Sequence, residues 1–399
     1  MTATNVKILY VNATMRCSPA HGVHIRTFEI GRQLKKCGAV TFLGVDKWFD
    51  EKTLSIARRD FDSVILLEMQ EKNVPKWLAR VHGKYKHHWA KWCSDPVSGA
   101  DRNYFDRLLA DHDLVWFHSF YAADCFREYR IPRSIIDIDD LNFMKYQWKA
   151  GCACSFRQRF SDQVVSSHWK RREMGVLERF TLAAVCSEAD RQVLGGGERI
   201  HVIPNGFKKP AEKPVLGKRD PLRLGFIGAM AYPPNRDGLE WFGREVWPKI
   251  RQEIPQARFR VIGKLPANAD FLNHPGFESL GFVEDPGEEI AAWSAMVVPL
   301  RFGGGTRLKI LEGFSRMCPM VSTPIGAYGI NVSNGKDILL AESAEDFAEK
   351  CIQLLKQPEL GLHLAEQGWN LFQSQYTWDI IGRAVEAAVQ DCLRRCRPE

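Results

Sequence analysis

Short apolar runs alternate along the chain with longer amphipathic stretches. The runs are too short and too evenly apolar for surface helices, and they read as buried strands. In the first half they fall at Val6–Val11, Ala39–Val45, Ser63–Leu67, Leu114–His118, Ser134–Ile138, Ala183–Cys186 and Ile200–Ile203. Helical patterning fills most of the gaps, as over Gly22–Cys37 and Tyr104–Asp111. The segment Pro204–Pro221 then has the proline, glycine and lysine content of a linker. Alternation restarts at Leu222–Ile227 and continues through Asp237–Ile254, Arg258–Ile262, Phe277–Leu280, Ala295–Leu300, Leu308–Arg316 and Met320–Thr323. Helices occupy the rest. Strands alternating with helices predict an α/β protein of two doubly wound, Rossmann-like halves facing across a cleft. The expected division is 1–205, 206–375, and a last helix, 376–399, returning to the first domain.

Length agrees with two cores, since 399 residues exceed what one usually holds. With 45% hydrophobic and 26% charged residues the chain reads as a soluble globular protein. Its net charge of +7 points to anionic partners. The start runs directly into a strand without the pattern of a signal peptide, and no apolar run approaches a membrane span. The 11 cysteines are scattered without metal-ligand spacing, and Cys152 and Cys154 are the one close pair. Reduced thiols in the cytoplasm are therefore expected, with no metal site. Neither G-x-G-x-x-G nor G-x-x-x-x-G-K-[ST] occurs in the right context, which argues against NAD and against P-loop chemistry.

One stretch carries candidate chemistry. The strand Ala295–Leu300 runs into Arg301-Phe-Gly-Gly-Gly-Thr-Arg-Leu-Lys-Ile-Leu-Glu312. Gly303, Gly304 and Gly305 remove the Cβ atoms that would hold a ligand off the backbone. A helix opening at Thr306 would aim unpaired N–H groups at that space, and Arg307 and Lys309 add positive charge. Lys309 and Glu312, three residues apart, share one side of the helix, where a carboxylate can accept hydrogen bonds from a sugar diol. Anion plus diol outlines a nucleoside diphosphate. Each half also opens on a strand–loop–helix. The first offers Asn12, His21 and Gly22; the second offers Gly228 and Asn235, the latter placed to hold the glycine loop or to make a simple turn.

In order along the chain stand Asp113-Leu-Val-Trp-Phe-His118, Ile136-Asp-Ile-Asp-Asp140, Val185-Cys-Ser-Glu-Ala-Asp190, Val202-Ile-Pro-Asn-Gly206, Phe226-Ile-Gly-Ala-Met230, Val261-Ile-Gly263, the glycine loop, and Thr323-Pro-Ile-Gly-Ala-Tyr-Gly329. In these motifs the chain resembles a group 1 (family 4) retaining glycosyltransferase of the GT-B fold. The resemblance runs nearly throughout the C-terminal half and is confined to motifs in the N-terminal half. It implies transfer of a sugar from a nucleotide donor to an acceptor hydroxyl with retention, without a metal or other cofactor. The donor is expected on the C-terminal domain and the acceptor on the N-terminal one. His118 is the implied catalytic residue, hydrogen-bonding the donor sugar or the incoming hydroxyl; a strand-end histidine capped by backbone is the plain alternative.

One departure matters. The family's usual motif is E-x7-E. Glu312 fits its second glutamate, on the ribose, but the first falls on Gly304. Ribose binding carries over and the carboxylate near the donor sugar does not. The phosphate role then falls to Arg307 and Lys309.

On the acceptor side, Asp137 and Asp139 alternate onto one face of a strand. With no further ligands they read, with Asp140, as turn formers and hydrogen-bond acceptors for an acceptor loop. Two stretches, Lys76–Trp92 and Phe143–Arg172, interleave basic and aromatic residues. These suit an anionic bilayer surface, an acidic lipid-linked glycan, or an ordinary solvated face. No nucleic-acid module accompanies them. The expected protein is a cytoplasmic enzyme, peripheral on the inner face of the membrane, making a surface polysaccharide, glycolipid or other glycoconjugate. A GT-B epimerase or phosphorylase, or a non-catalytic GT-B scaffold subunit, are the alternatives.

Overall fold

The computed structural model describes residues 6–13, 22–46, 50–69, 97–126, 130–151, 153, 155–214, 220–265, 273–304 and 307–396. Contacts divide the chain into two units. One is Met1–Gln147, Phe160–Pro204 and Ile381–Glu399; the other is Trp148–Arg159 and Asn205–Ile380.

The first unit is built on β1 (Lys7–Ala13), β2 (Ala39–Asp46), β3 (Ser63–Glu68), β4 (Leu114–His118), β5 (Ile131–Ile138), β6 (Phe180–Val185) and β7 (Ile200–Val202). They form one parallel sheet in the order β3-β2-β1-β4-β5-β6-β7. Ile8, Leu9, Tyr10 and Val11 are all fully buried, as a parallel strand covered on both faces requires. The chain winds outward through β2 and β3, then returns to the other side of β1. Between β1 and β4 the winding therefore reverses, and the strand ends there open a natural binding crevice.

The second unit repeats the plan with β8 (Asp220–Ile227), β9 (Arg258–Ile262), β10 (Phe277–Gly281), β11 (Trp293–Val298), β12 (Met320–Ser322) and β13 (Leu339–Leu340). The order is β10-β9-β8-β11-β12-β13, again parallel, and the reversal lies between β8 and β11.

Several elements differ from the sequence expectation. The stretch Asp237–Ile254 is not one helix: Pro233–Trp241 and Trp247–Glu253 flank a π-helical turn at Phe242–Val246. Pro248 has no N–H to give to the preceding turn, and the wider π turn absorbs the break. The expected linker ends early, because β8 begins at Asp220. The helix expected from Thr306 runs Leu308–Ser315, with Arg307 as its cap residue. Gly305 and Thr306 lie outside the described residues, as do His21 and the basic stretch 76–92. The other basic stretch resolves into helices Asn142–Gly151 and Phe156–Met174. Among the described residues no helix is long and apolar enough to cross a membrane.

Candidate functional site

In the second unit, β8 and β11 are parallel neighbours, so the loops that leave them emerge at the same sheet edge. The Gly228 N–H donates to the Ile262 carbonyl at 2.9 Å. Gly263 follows with φ +146°, and a Cβ there would sit 2.0 Å from the Gly228 oxygen. Only glycine fits such an approach.

Asn235, in the first turn of Pro233–Trp241, joins two parts of this edge. Its Nδ2 donates to the Ala229 carbonyl at 2.9 Å, and its Oδ1 accepts from Lys309 Nζ at 2.8 Å. A Cβ on Gly228 would come within 2.6 Å of Asn235 Nδ2 and 3.1 Å of Lys309 Nζ. Gly228, Asn235 and Lys309 are thus one cluster. The Lys309 ammonium also lies 4.0 Å from the centre of the Phe226 ring, within cation–π range. Burial pushes the pKa of Lys309 well down; the charge of Arg307 adds to that, and Glu312 opposes it.

Glu312 stands on the same helix. Burial raises its carboxyl to about 7, against the pull of Arg316, with Asp285 reinforcing the rise and Lys309 opposing it. Among the described residues no ion pair engages it. It is a half-buried acid without a salt bridge, one turn beyond a cation.

Arg307 has a different place from the one its sequence position suggests. It is buried, and its Nη1 donates to the Gly304 carbonyl. A Cβ on Gly303, whose φ is +134°, would lie 2.9 Å from Arg307 Nη2. The guanidinium folds back over the glycine loop and fixes its path. Arg301 ties the other end of the loop down, with Nη2–Oδ1 2.6 Å and Nε–Oδ2 2.9 Å to Asp237. Thr323 joins the neighbouring strand ends, donating to the Leu300 carbonyl and accepting from Gly326 N at 2.8 Å.

In the first unit, strand register places Asn12 beside His118 and His118 beside Asp137, a row across the C-terminal ends of β1, β4 and β5. All three are buried. The sequence suggested Asp137 as a turn former and hydrogen-bond acceptor for an acceptor loop; the structure instead buries it against Arg26. Arg26 grips it, with Nη2–Oδ1 2.6 Å and Nε–Oδ2 3.0 Å, and gives Nη1 to the Pro204 carbonyl at 3.1 Å. Burial alone would raise the Asp137 carboxyl; Arg26 and His118 outweigh it and hold the carboxyl down at about 2. His118 Nδ1 lies 3.5 Å from Asp137 Oδ2. Ser119 follows His118 at φ 82°, ψ 157°, a region that costs a residue with a Cβ about 1–3 kcal/mol. Its N–H is taken by the Asp137 carbonyl at 3.0 Å. The backbone thus bends sharply just beyond the histidine.

Gly22 is the first residue of the helix Gly22–Lys35. Asp140 is half-buried, 3.9 Å from Lys145 Nζ, and Asp139 accepts from Cys186 Sγ at 3.3 Å. The described residues contain no group of His, Cys, Asp or Glu arranged to hold a metal. Sequence reasoning missed Arg26. The available signal was a cation four and eight residues before Ile30 and Leu34, on the buried stripe of its helix.

Residues 221–357 match the protein family described as Glycosyl transferases group 1. The "Uncharacterized 44.6 kDa protein in cps region" of Klebsiella pneumoniae is 23% identical over 167 residues, which are 38% of this chain and 42% of that protein. The chain thus spans well under two thirds of that curated relative. Solved structures resemble nearly the whole chain. Anabaena Alr3699/HepE, in complex with UDP and glucose, has a TM-score of 0.62 at 13% identity, covering 97% of this chain and 100% of that one. Sucrose-phosphate synthase of Thermosynechococcus elongatus has a TM-score of 0.66 at 15% identity, covering 98% and 100%. A variant of S. aureus TarM, in complex with Fondaparinux, alpha-GlcNAc-glycerol and UDP, has a TM-score of 0.66 at 12% identity, covering 96% and 99%. Residues 221–357 therefore match a group 1 glycosyl transferase domain, carried in a chain with the GT-B fold.

Proposed function

We propose that the protein transfers a sugar from a nucleoside diphosphate donor to an acceptor hydroxyl, with retention at the anomeric carbon and without a metal. The observation that carries this reading is the Gly228–Asn235–Lys309 cluster at the β8–β11 reversal, with Glu312 one turn beyond. Lys309 faces the diphosphate and Glu312 accepts the ribose hydroxyls. Arg307 shapes the glycine loop and adds positive potential without leaving its place on Gly304.

The bond from the anomeric carbon to the diphosphate oxygen breaks, and its electron pair leaves with the diphosphate. The acceptor oxygen bonds to that carbon and gives up its proton to the departing group. Charge grows on the diphosphate as the bond breaks. A cation already in position stabilises that charge without reorganising. His118, in the first unit, is assigned to the sugar or the incoming hydroxyl. The UDP in two of the similar structures favours uridine nucleotides as first probes. A surface polysaccharide, glycolipid or other glycoconjugate made in the cytoplasm is the product class proposed.

A second reading draws on Gly304, which stands where the family usually has a glutamate: a GT-B subunit that binds nucleotide without catalysis. UDP and GDP should raise the melting temperature under both readings. Slow hydrolysis of a nucleotide sugar in the absence of acceptor supports the transferase, and an epimerised donor points to an epimerase. Nucleotide binding with no turnover across a donor panel would favour the scaffold. No thermal shift with any nucleotide would overturn both.

A further inference from the structure

The helix Phe156–Met174 carries apolar residues on two opposite arcs. At about 100° per residue, Val165 and Trp169 lie on one side, and both are buried. Its two acidic residues, Asp162 and Glu173, share that side and are buried as well. Phe156, Phe160, Val164 and Met174 project from the other side, and they are 81%, 60%, 51% and 46% exposed. Two phenylalanine rings one turn apart, both mostly in water, are more than the scatter of single apolar residues normal on a surface.

Charge identifies what covers them. Arg157 and Arg159 flank the exposed arc at one end, and Lys170 and Arg171 at the other; all four are exposed. Arg172 is already engaged, 2.6 Å from Asp124. Every exposed charge on the helix is therefore positive. A second copy related by a two-fold axis would bring Arg157 and Arg159 against their own kind. An anionic lipid surface takes the rings into the acyl boundary and the cations among the headgroups.

We propose that the helix Phe156–Met174 lies on an anionic membrane surface, with Phe156 and Phe160 inserted and its arginines and lysines among the lipid headgroups. This stands independently of the sugar-transfer reading. The test is co-sedimentation of the full chain with phosphatidylcholine vesicles, with and without phosphatidylglycerol, at low and high salt. Binding should require the anionic lipid and fall steeply with salt. Phe156→Ser with Phe160→Ser should weaken it at least about tenfold with no loss of thermal stability, because both rings are exposed. Arg157→Glu with Arg159→Glu should also weaken it. No binding at low salt overturns the proposal. So does parental binding by the double serine variant. A double serine variant that alters the oligomeric state in sedimentation velocity while still binding vesicles would assign the face to a second copy instead.

Discussion

Lys309 donates to the side-chain oxygen of Asn235 at 2.8 Å, while the nitrogen of the same amide donates to the Ala229 carbonyl at 2.9 Å. One asparagine thus couples the cation of one loop to the backbone of another. It also fixes the direction of its own amide, because a flip would set two donors against each other.

Removing that coupling should be felt in nucleotide binding. Asn235→Ala loses the hydrogen bond to Lys309, worth about 0.5–1.5 kcal/mol, so UDP affinity by calorimetry should fall up to about tenfold. Lys309→Ala removes a charged donor, worth about 1.5–3 kcal/mol, and should cost more. Parental affinity in Lys309→Ala would take Lys309 away from the phosphate.

Binding should also move protons. Burial raises Glu312 to about 7, and diol hydroxyls donating to it favour the ionised form, so nucleotide binding drives a proton out. Calorimetry near neutral pH in buffers of different ionisation enthalpy should show that release, and Glu312→Gln should remove it; an unchanged release would take Glu312 away from the ribose.

The Arg26–Asp137 pair should behave as a buried ion pair. Arg26→Met leaves the carboxylate without its partner and should cost about 3–5 kcal/mol in urea unfolding. Adding Asp137→Leu should recover most of that loss. Asp137 is held at about 2, below the ordinary 3.8. Its contribution is therefore present above 3.8 and lost as pH falls through about 2. Arg26→Met should remove that part of the acid dependence.

Glu173 predicts the opposite slope. It accepts from the Asn142 and Phe143 N–H groups at 2.8 and 3.1 Å, capping the helix Asn142–Gly151. Burial nonetheless raises it to about 7 from the ordinary 4.5; these hydrogen bonds and the Arg172 charge only partly offset the rise. A raised folded-state pKa contributes stability that is fully present below 4.5 and lost as pH rises through about 7. Melting temperature should fall across that window, and Glu173→Gln should flatten the fall. An unchanged profile would separate Glu173 from it.

The sequence disclosed strands best where an apolar run had sharp polar borders. Leu114–His118 and Arg258–Ile262 could be bounded to the residue for that reason. It could not disclose the π turn at Phe242–Val246, since a single wide turn barely alters hydrophobic periodicity; Pro248 was the one local clue. In the site, Gly228, Asn235, Lys309 and Glu312 were each recognisable by type and position. Their mutual contacts were not, because Asn235 and Lys309 are 74 residues apart and meet only when the sheet forms. Arg26 and Asp137, 111 residues apart, left less trace still: a buried ion pair has no local pattern, and the aspartate read as a turn former and hydrogen-bond acceptor.

The row Asn12–His118–Asp137 sits on three adjacent strands whose alignment is fixed by backbone ladders. Sliding any strand by one position would swing its member to the opposite side of the sheet. Just beyond the histidine, the Ser119 N–H is held by the Asp137 carbonyl at 3.0 Å, so the row is pinned at its tip as well as along its strands.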